Sequence, residues 1–370
     1  MSGRNFNILG DKKRVLVAPL EWGLGHATRC IPIIRELLIQ GCEVLIAAEA
    51  EARALLAKEF SQLQFLDLKG YRMRYSRKGY WLPLKILIQF PKMLSSIRRE
   101  NRWLKKVIIE HAIDAVISDN RFGFYNSTVP CVYITHQLTI KTGNSFTERI
   151  AQRIHYRFIN KFTTCWIPDY EGKVNLAGAL SHPTHLPKTP VRYIGPLSRF
   201  EKKEVEKKYD LAAIISGPEP QRTIFEELLL DQLPDYEGSV LFVRGLPGNL
   251  PSSFSIKSNI EMHDHLSAEE LNEAVLGSDM IISRSGYTTV MDLVKLQRAA
   301  ILIPTPGQPE QEYLAEYLMK EKLFFCIAQK DLSLKQALLA VANFSKTNLV
   351  NSMNEYVAAV KDLVQRLDKK

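Results

Sequence analysis

Short apolar segments alternate with amphipathic helical stretches along the chain, and this alternation restricts the fold more than any other feature. It is typical of βαβ units, in which parallel strands form a sheet covered by helices. In the first half, the predicted strands are 14–18, 43–47, 114–118, 131–135 and 163–167. In the second half, they are 211–216, 239–243, 280–283 and 300–304. The predicted fold class is therefore α/β with mostly parallel sheets.

The length of the chain predicts two domains, because 370 residues exceed what one core usually serves. Gly195 and Pro196 interrupt regular structure, and a run of charged residues, 201–208, follows them. We therefore expect a first Rossmann-like domain over 1–196 and a second over 197–353. Apolar residues at helical spacing predict a final helix within 354–370, which either caps the fold or packs back on the first domain.

The composition is that of a globular protein with a basic balance. The net charge of +9 favours anionic partners such as nucleotides, nucleic acid or an acidic membrane surface. The basic residues do not form a nucleic-acid reading motif, so no nucleic-acid partner is expected. The N-terminus lacks the apolar core of a secretory signal, and the five cysteines are widely spaced. We expect reduced thiols and a cytoplasmic protein, either free or on the inner face of the cell membrane.

The segment 79–107 combines aromatic and aliphatic residues with a following cluster of cations. Such a helix can lie in the interface of an anionic membrane. A core helix with a solvated basic face explains the pattern equally well.

The first predicted strand leads into a glycine-containing turn and a helix. Gly23 and Gly25 allow a sharp turn and close approach of a ligand, while the helix N-terminus offers free N–H groups to an anion. A dinucleotide fingerprint would need a third glycine where Thr28 stands, so an NAD site is disfavoured.

Two residues in the first half suit proton transfer. His26 lies at the mouth of this turn, where an imidazole can accept a proton from a hydroxyl, although it could also only cap the helix. Asp119 follows another strand and could orient His26 as a dyad, or could be a surface carboxylate held by Arg121. His136, at a third strand end, and Arg121 are candidate acceptor-binding residues, and a polar strand-end histidine is the alternative for His136.

The second half contains a parallel set of turns that suit a nucleotide-activated sugar. The turn at Gly217 is suited to a phosphate, and the one after strand 280–283 to a diphosphate. Asp292 can accept hydrogen bonds from ribose hydroxyls, and side chains near position 310 can bind the hydroxyls of a sugar. Solvated acids at a helix start are the alternative for that last group. The candidate donor-binding residues are Gly23, Gly25, Gly217, Arg284, Ser285, Gly286, Tyr287, Thr288, Asp292, Gln311 and Glu312.

Three motifs together resemble the family 28 glycosyltransferases of the GT-B fold, which include bacterial transferases that add N-acetylglucosamine to a lipid-linked muramoyl pentapeptide. They are 23–26, 283–292 and Glu310-Gln311, and the resemblance is most specific from Ile281 to Tyr313. It implies two Rossmann-like domains facing a cleft, with Asp292 on the ribose in place of the family's usual glutamate. The first glycine loop is shorter than the family's, so the muramoyl acceptor is not implied.

The resemblance also implies residue roles and a reaction. Gln311 and Glu312 would contact the donor sugar, 284–288 the diphosphate, and the loop containing His265 the base. The expected reaction is inverting transfer of a sugar, with UDP-N-acetylglucosamine as the favoured donor, to a hydroxyl of a glycan or lipid-linked acceptor. The sequence has neither an Asp-x-Asp motif nor zinc-ligand spacing, so we expect no metal and no cofactor beyond the nucleotide-sugar co-substrate.

Two alternatives remain open on sequence alone. A nucleotide-sugar 2-epimerase would share the fold and the diphosphate site but would need no acceptor surface. A non-catalytic nucleotide-sugar-binding protein would keep its ligand when His26 is replaced.

Overall fold

The computed structural model of the chain describes residues 12–368 apart from 22, 69–81, 247–252, 255–256, 346 and 348–352. For 82–90 and 253–254 the description covers the backbone only. Of the predicted membrane segment, 79–81 therefore lies outside the described residues.

The first half forms a parallel seven-stranded sheet with the order β3-β2-β1-β4-β5-β6-β7. Its strands are β1 (Arg14–Pro19), β2 (Glu43–Ala48), β3 (Gln64–Asp67), β4 (Ala115–Asp119), β5 (Cys131–Ile134), β6 (Thr164–Ile167) and β7 (Val191–Tyr193). Its helices are α1 (Leu24–Ile39), α2 (Ala50–Glu59), α3 (Leu82–Glu110) and α4 (Ser145–Ile159). The strand order reverses between β1 and β4, and the register there pairs Pro19 with Asp119. Such a reversal opens a crevice at the carboxyl ends of the strands.

The second half forms another seven-stranded sheet with the order β10-β11-β9-β8-β12-β13-β14, parallel except at β10. Its strands are β8 (Tyr209–Ile214), β9 (Val240–Val243), β10 (Ser253–Phe254), β11 (Ile260–His263), β12 (Ser278–Arg284), β13 (Ala300–Ile303) and β14 (Phe325–Cys326). Its helices are α5 (Gln221–Leu230), α6 (Ala268–Leu276), α7 (Tyr287–Leu296), α8 (Pro309–Lys320) and α9 (Leu334–Ala342). Here the order reverses between β8 and β12, the strands that precede the Gly217 and Gly286 turns. The predicted α/β class with two parallel-sheet domains is confirmed.

The two domains are joined by an apolar cluster and by the last helix. Residues 194–208 connect β7 to β8 without helix or strand, and Ile194 and Leu197 in this connection are buried beside Met291 of α7. Helix α10 (Glu355–Asp368) packs against α1, and Arg192 of β7 forms an ion pair with Asp362 of α10 at 2.6 Å.

The cysteines are free thiols, as the sequence predicts. Four of the five are buried and all five are unpaired. No helix in the described part of the chain combines the length and apolarity needed to cross a bilayer. From residue 91 onward, α3 buries Ile97, Leu104 and Val107 while it exposes its cations, as expected of a core helix with a basic face.

Candidate active site

The turn between β1 and α1 places His26 at the crevice of the first domain. Gly23 has φ +81°, a left-handed conformation that favours glycine, and it directly precedes the first residue of α1. His26 therefore lies in the first turn of the helix. The β1–β4 register brings Asp119 to the same edge, so the two side chains meet across the reversal of strand order.

His26 contacts the predicted partner and an arginine that the sequence did not single out. Its Nδ1 lies 3.0 Å from Asp119 Oδ2 and 2.7 Å from a terminal nitrogen of Arg29, one turn later on α1. Arg29 also donates to both carboxylate oxygens of Asp119, through Nε at 2.9 Å to Oδ2 and through its terminal nitrogen to Oδ1. Asp119 is fully buried, so the alternative of a surface carboxylate held by Arg121 is wrong.

These contacts set the protonation of the pair. Burial and then the charge of Arg29 lower the pKa of His26, and they outweigh the opposing charge of Asp119. Burial alone would raise the pKa of Asp119, but the charges of Arg29 and His26 and their hydrogen bonds outweigh it and lower that pKa. At neutral pH the site therefore holds an ionised carboxylate beside a neutral imidazole.

Residues of the second domain reach this site directly. His136, which follows β5, stacks on the ring of Tyr287 at 4.3 Å, and its Nε2 lies 2.7 Å from Glu310 Oε1 of α8. Tyr287 donates its hydroxyl to the Pro168 carbonyl oxygen at 2.7 Å. Thr288 Oγ1 donates to the carbonyl oxygen of Gly25 at 3.4 Å. The crevices of the two sheets therefore face each other, with His26 beside their contact.

Among the predicted donor-binding residues, Gly286 and Asp292 lie on the turn and first helix turns after β12. Gly286 precedes α7 directly, and Asp292 Oδ1 accepts a hydrogen bond from Ser198 Oγ of the connecting segment at 2.5 Å. Burial raises the pKa of Asp292 to about 7, although Ser198 and the charge of Arg199 lower it.

The remaining donor candidates lie around the same cleft. Gln311 accepts from the Thr305 amide at 2.9 Å, and Glu312 accepts from the Gly307 amide at 2.9 Å, so both brace the turn before α8. Gly217 has φ +116° and open space around its Cα. His265 lies at the surface, where partial desolvation by its neighbours and then the charges of Lys58 and Arg199 lower its pKa.

Three side-chain assignments made from the sequence are wrong. Arg284 is buried, donates to the carbonyl oxygens of Pro304 and Gln221, and lies over the Phe225 ring, so its guanidinium faces the protein interior instead of the cleft. Ser285 is fully buried and donates its hydroxyl to the Gln311 carbonyl oxygen. The side chains of both residues are therefore engaged within the protein, and the Ser285 amide donates to the Ile303 carbonyl oxygen at 3.4 Å.

Arg121 is the third wrong assignment. It is fully buried and donates to Glu100 at 2.6 Å, to Glu21 at 2.6 Å and to the Pro19 carbonyl oxygen at 2.7 Å. It therefore stabilises the loop after β1 and offers no surface to an acceptor.

Comparisons with known proteins agree with this fold. Residues 252–367 match the glycosyltransferase family 28 C-terminal domain. A UDP-N-acetylglucosamine--N-acetylmuramyl-(pentapeptide) pyrophosphoryl-undecaprenol N-acetylglucosamine transferase of Pasteurella multocida is 24% identical over 92% of this chain and 91% of its own length. The structure of the kitacinnamycin glycotransferase superposes with a TM-score of 0.63 at 13% identity, over 97% of this chain and 96% of that one. Acinetobacter baumannii MurG superposes with a TM-score of 0.54 at 15% identity, over 97% of this chain and 100% of that one.

This chain is a glycosyltransferase of the GT-B fold, and its residues 252–367 match the family 28 C-terminal domain. The matches favour a transferase over the 2-epimerase and the non-catalytic binding protein considered from the sequence. Within the described parts of the transferase, no group of three or more His, Cys, Asp or Glu side chains is arranged to hold a metal ion.

Sequence reasoning missed Arg29 as a site residue of the transferase, although a signal for it exists. Arg29 follows His26 by three positions and therefore lies on the same helix face. It stands between Thr28 and Cys30 at the start of the apolar stretch of α1, where an unpaired guanidinium would be costly to bury. A cation in such a stretch predicts a buried carboxylate partner.

Proposed function

We propose that the transferase moves a sugar from a nucleoside diphosphate donor, with UDP-N-acetylglucosamine as the first candidate, to a hydroxyl of a lipid-linked or glycan acceptor. The observation that carries the proposal is the contact of His26 Nδ1 with the buried Asp119 Oδ2 at 3.0 Å, at the place where the two domains meet. Burial and the charge of Arg29 lower the pKa of His26, which favours the neutral imidazole that a base requires. The named substrates of the Pasteurella multocida relative support this donor and a lipid-linked acceptor.

In the proposed reaction His26 is the general base. Its unprotonated ring nitrogen takes the proton of the acceptor hydroxyl while that oxygen forms a bond to the anomeric carbon. The bond from this carbon to the diphosphate oxygen breaks on the opposite face, so the configuration inverts and the nucleoside diphosphate leaves with the electron pair. Asp119 stabilises the imidazolium that forms.

The donor would lie against the second domain. The amides of Gly286, Tyr287 and Thr288 at the start of α7 suit the diphosphate, because a helix N-terminus carries free N–H groups and a partial positive charge. These amides would stabilise the leaving group without a metal ion. Asp292 would bind the ribose, and Gln311 with Glu312 would bind the sugar.

Two further donor contacts would complete the site. Gly217 at the turn after β8 would approach the phosphates, and the loop containing His265 would contact the base. Gly23 and Gly25 would border the donor from the first domain. His136 would face the acceptor, close to the Glu310 that it already contacts.

The acceptor would approach the first domain, which we assign to 1–196, with the donor domain over 197–353 and 354–370 as a returning helix. Exposed cations on α3 and the exposed Phe146 and Ile150 on α4 support contact with the anionic inner face of the cell membrane. The exposed α3 cations are Lys92, Arg98, Arg99, Arg102, Lys105 and Lys106. Helices α3 and α4 pack together through Ile97 and Phe158.

The first experiment is a thermal-stability panel with UDP, UDP-N-acetylglucosamine, UDP-glucose, GDP, dTDP and NAD, without added metal. A ligand at a hundredfold excess over its dissociation constant stabilises the native state by about 2.7 kcal/mol. We expect a selective response to one nucleoside diphosphate or its sugar. A response to NAD alone would overturn the proposed donor site.

The second experiment replaces the base. His26→Ala should leave donor affinity nearly unchanged and lower turnover about 10²- to 10⁴-fold. His155→Ala is the matched control, because His155 is a buried histidine of the same domain that lies outside the cleft, among Phe122 and Tyr133. If His26→Ala lowers affinity and turnover equally, His26 binds the donor and is not the base.

A further inference from the structure

Arg29 lies at the centre of the candidate active site. Its side chain is 2% exposed, and its guanidinium contacts His26, Asp119 and His136. His136 Nδ1 is 3.3 Å from one terminal nitrogen of Arg29, and His26 Nδ1 is 2.7 Å from the other. One guanidinium therefore faces the Nδ1 atoms of both imidazoles.

A guanidinium donates hydrogen bonds and accepts none, and it stays charged at any relevant pH. An imidazole nitrogen that faces it must therefore present a lone pair. For His136 this places the proton on Nε2, where it is donated to Glu310 Oε1 at 2.7 Å. The Arg29 contact and the shorter Glu310 contact of His136 therefore require the same tautomer.

The two contacts of His26 Nδ1 require opposite tautomers. Donation to Asp119 Oδ2 at 3.0 Å needs a proton on Nδ1, whereas acceptance from Arg29 at 2.7 Å needs a lone pair there. The Arg29 contact is the shorter one, and Asp119 already accepts from Arg29 at both oxygens. These two facts favour the Arg29 contact, which requires the proton of a neutral His26 to reside on Nε2.

We propose that Arg29 is a positioning residue that holds His26 in the Nε2-protonated tautomer in the free enzyme, so that Nε2 can accept a proton only after Arg29 releases Nδ1. After release, Nδ1 carries the proton and donates it to Asp119. Nε2 then takes the proton of the acceptor hydroxyl, and the imidazolium remains hydrogen-bonded to Asp119. This consequence for catalysis rests on the proposed role of His26 as base, whereas the tautomer itself does not.

The charged and titratable groups around His26 come from four elements. Arg29 and Cys30 lie on α1, Asp119 ends β4, His136 follows β5, and Glu310 belongs to α8 of the second domain. Because Glu310 holds the far nitrogen of His136, a displacement of the second domain alters a direct contact of Arg29.

The test is the ¹⁵N chemical shifts of the imidazole nitrogens in the full-length protein without substrate, at pH 8, where His26 is neutral. The chain has eight histidines, and the signal of His26 is the one missing from His26→Gln. We expect a protonated Nε2 and an unprotonated Nδ1. A protonated Nδ1 in the wild-type protein would overturn the proposal, whatever the activity of the chain.

Arg29→Lys is the informative variant, because an ammonium keeps the charge beside Asp119 but cannot also reach both imidazoles. We expect the His26 proton to move to Nδ1 in this variant, while Arg35→Lys, farther along α1, leaves the wild-type tautomer. Circular dichroism verifies the fold of each variant. An Nε2-protonated His26 in folded Arg29→Lys would overturn the role of Arg29; if that variant does not fold, the wild-type spectrum alone decides.

Discussion

Asp292, which we propose as the ribose ligand, lowers the stability of the free protein when its buried carboxyl is ionised. Its carboxyl is held near the connecting segment by Ser198, and burial raises its pKa to about 7 from the ordinary 3.8. A raised pKa means that the folded state prefers the neutral acid. The stability contributed by this preference is complete below the ordinary pKa and is lost as the pH rises through the folded value.

Asp292→Asn should therefore stabilise the free protein at pH 8 and weaken nucleotide binding. We expect an increase in the free energy of unfolding of about 1 kcal/mol or more at pH 8, which shrinks toward pH 4. The loss of a charged acceptor for the ribose should cost about 1–3 kcal/mol of binding. Urea unfolding at the two pH values and calorimetric titration with UDP measure the two effects. Asp279→Asn, an exposed aspartate of β12, should change neither.

Arg121 tests whether a cation of the first domain stabilises the fold or binds an acceptor. Arg121→Met leaves Glu100 buried and without its guanidinium, so we expect a loss of about 3–5 kcal/mol in unfolding free energy. Chemical denaturation measures this loss. Normal stability with a raised KM for the acceptor would restore the acceptor-binding assignment that the structure contradicts.

At the scale of elements, the central strands were predictable because they are continuous apolar runs. All nine predicted strands are present within a few residues of the expected ends. The five strands that were missed carry weak signals. Strand β3 has polar ends, β7 is three residues long, β10 and β14 are two residues long each, and β11 alternates apolar with polar residues. These segments form strands because they pair with a neighbouring strand, and the periodicity of their own sequence does not report that pairing.

The residues of the candidate site also fall into a group that the sequence predicted and a group that it did not. Strand ends and glycine turns predicted His26, Asp119 and the Gly286 turn, because carboxyl ends of parallel strands converge. The sequence does not report the direction in which a side chain points from a strand end. For this reason it placed Arg284 and Arg121 in the cleft, whereas both side chains are buried in the protein interior.

Helices α1 and α7 meet so closely that Gly25 cannot carry a side chain without displacing its neighbour. A methyl group at Gly25 would lie 2.7 Å from Thr288 Oγ1. We expect Gly25→Ala to cost about 1–3 kcal/mol of stability and to lower turnover, because the two domains must shift apart. Adding Thr288→Ala should recover most of the stability in a thermal-unfolding measurement. Equal losses in the single and double variants would mean that contact with Thr288 is not the cause of the lost stability.

At the scale of the whole molecule, α8 fixes the position of one domain against the other. Tyr313 accepts a hydrogen bond from the Ala179 amide at 2.7 Å, and Tyr317 donates to Asn175 Oδ1 at 2.9 Å. A methyl group on Gly178 would lie 2.5 Å from the Tyr313 hydroxyl, so the first domain leaves this space for the two rings. Glu310, one turn earlier on α8, contacts His136 in the active site.

Replacement of both tyrosines by alanine should therefore open the cleft while each domain stays folded. We expect a larger radius of gyration by small-angle X-ray scattering, faster proteolysis within 194–208, and turnover reduced on the order of 10²-fold because Glu310 and His26 lose their alignment. Glu316→Ala with Lys320→Ala, on the exposed face of the same helix, is the matched control and should leave all three unchanged. If the tyrosine variant keeps the wild-type scattering profile and turnover, the apolar contact around Met291 and the packing of α10 on α1 are sufficient to set the domain arrangement.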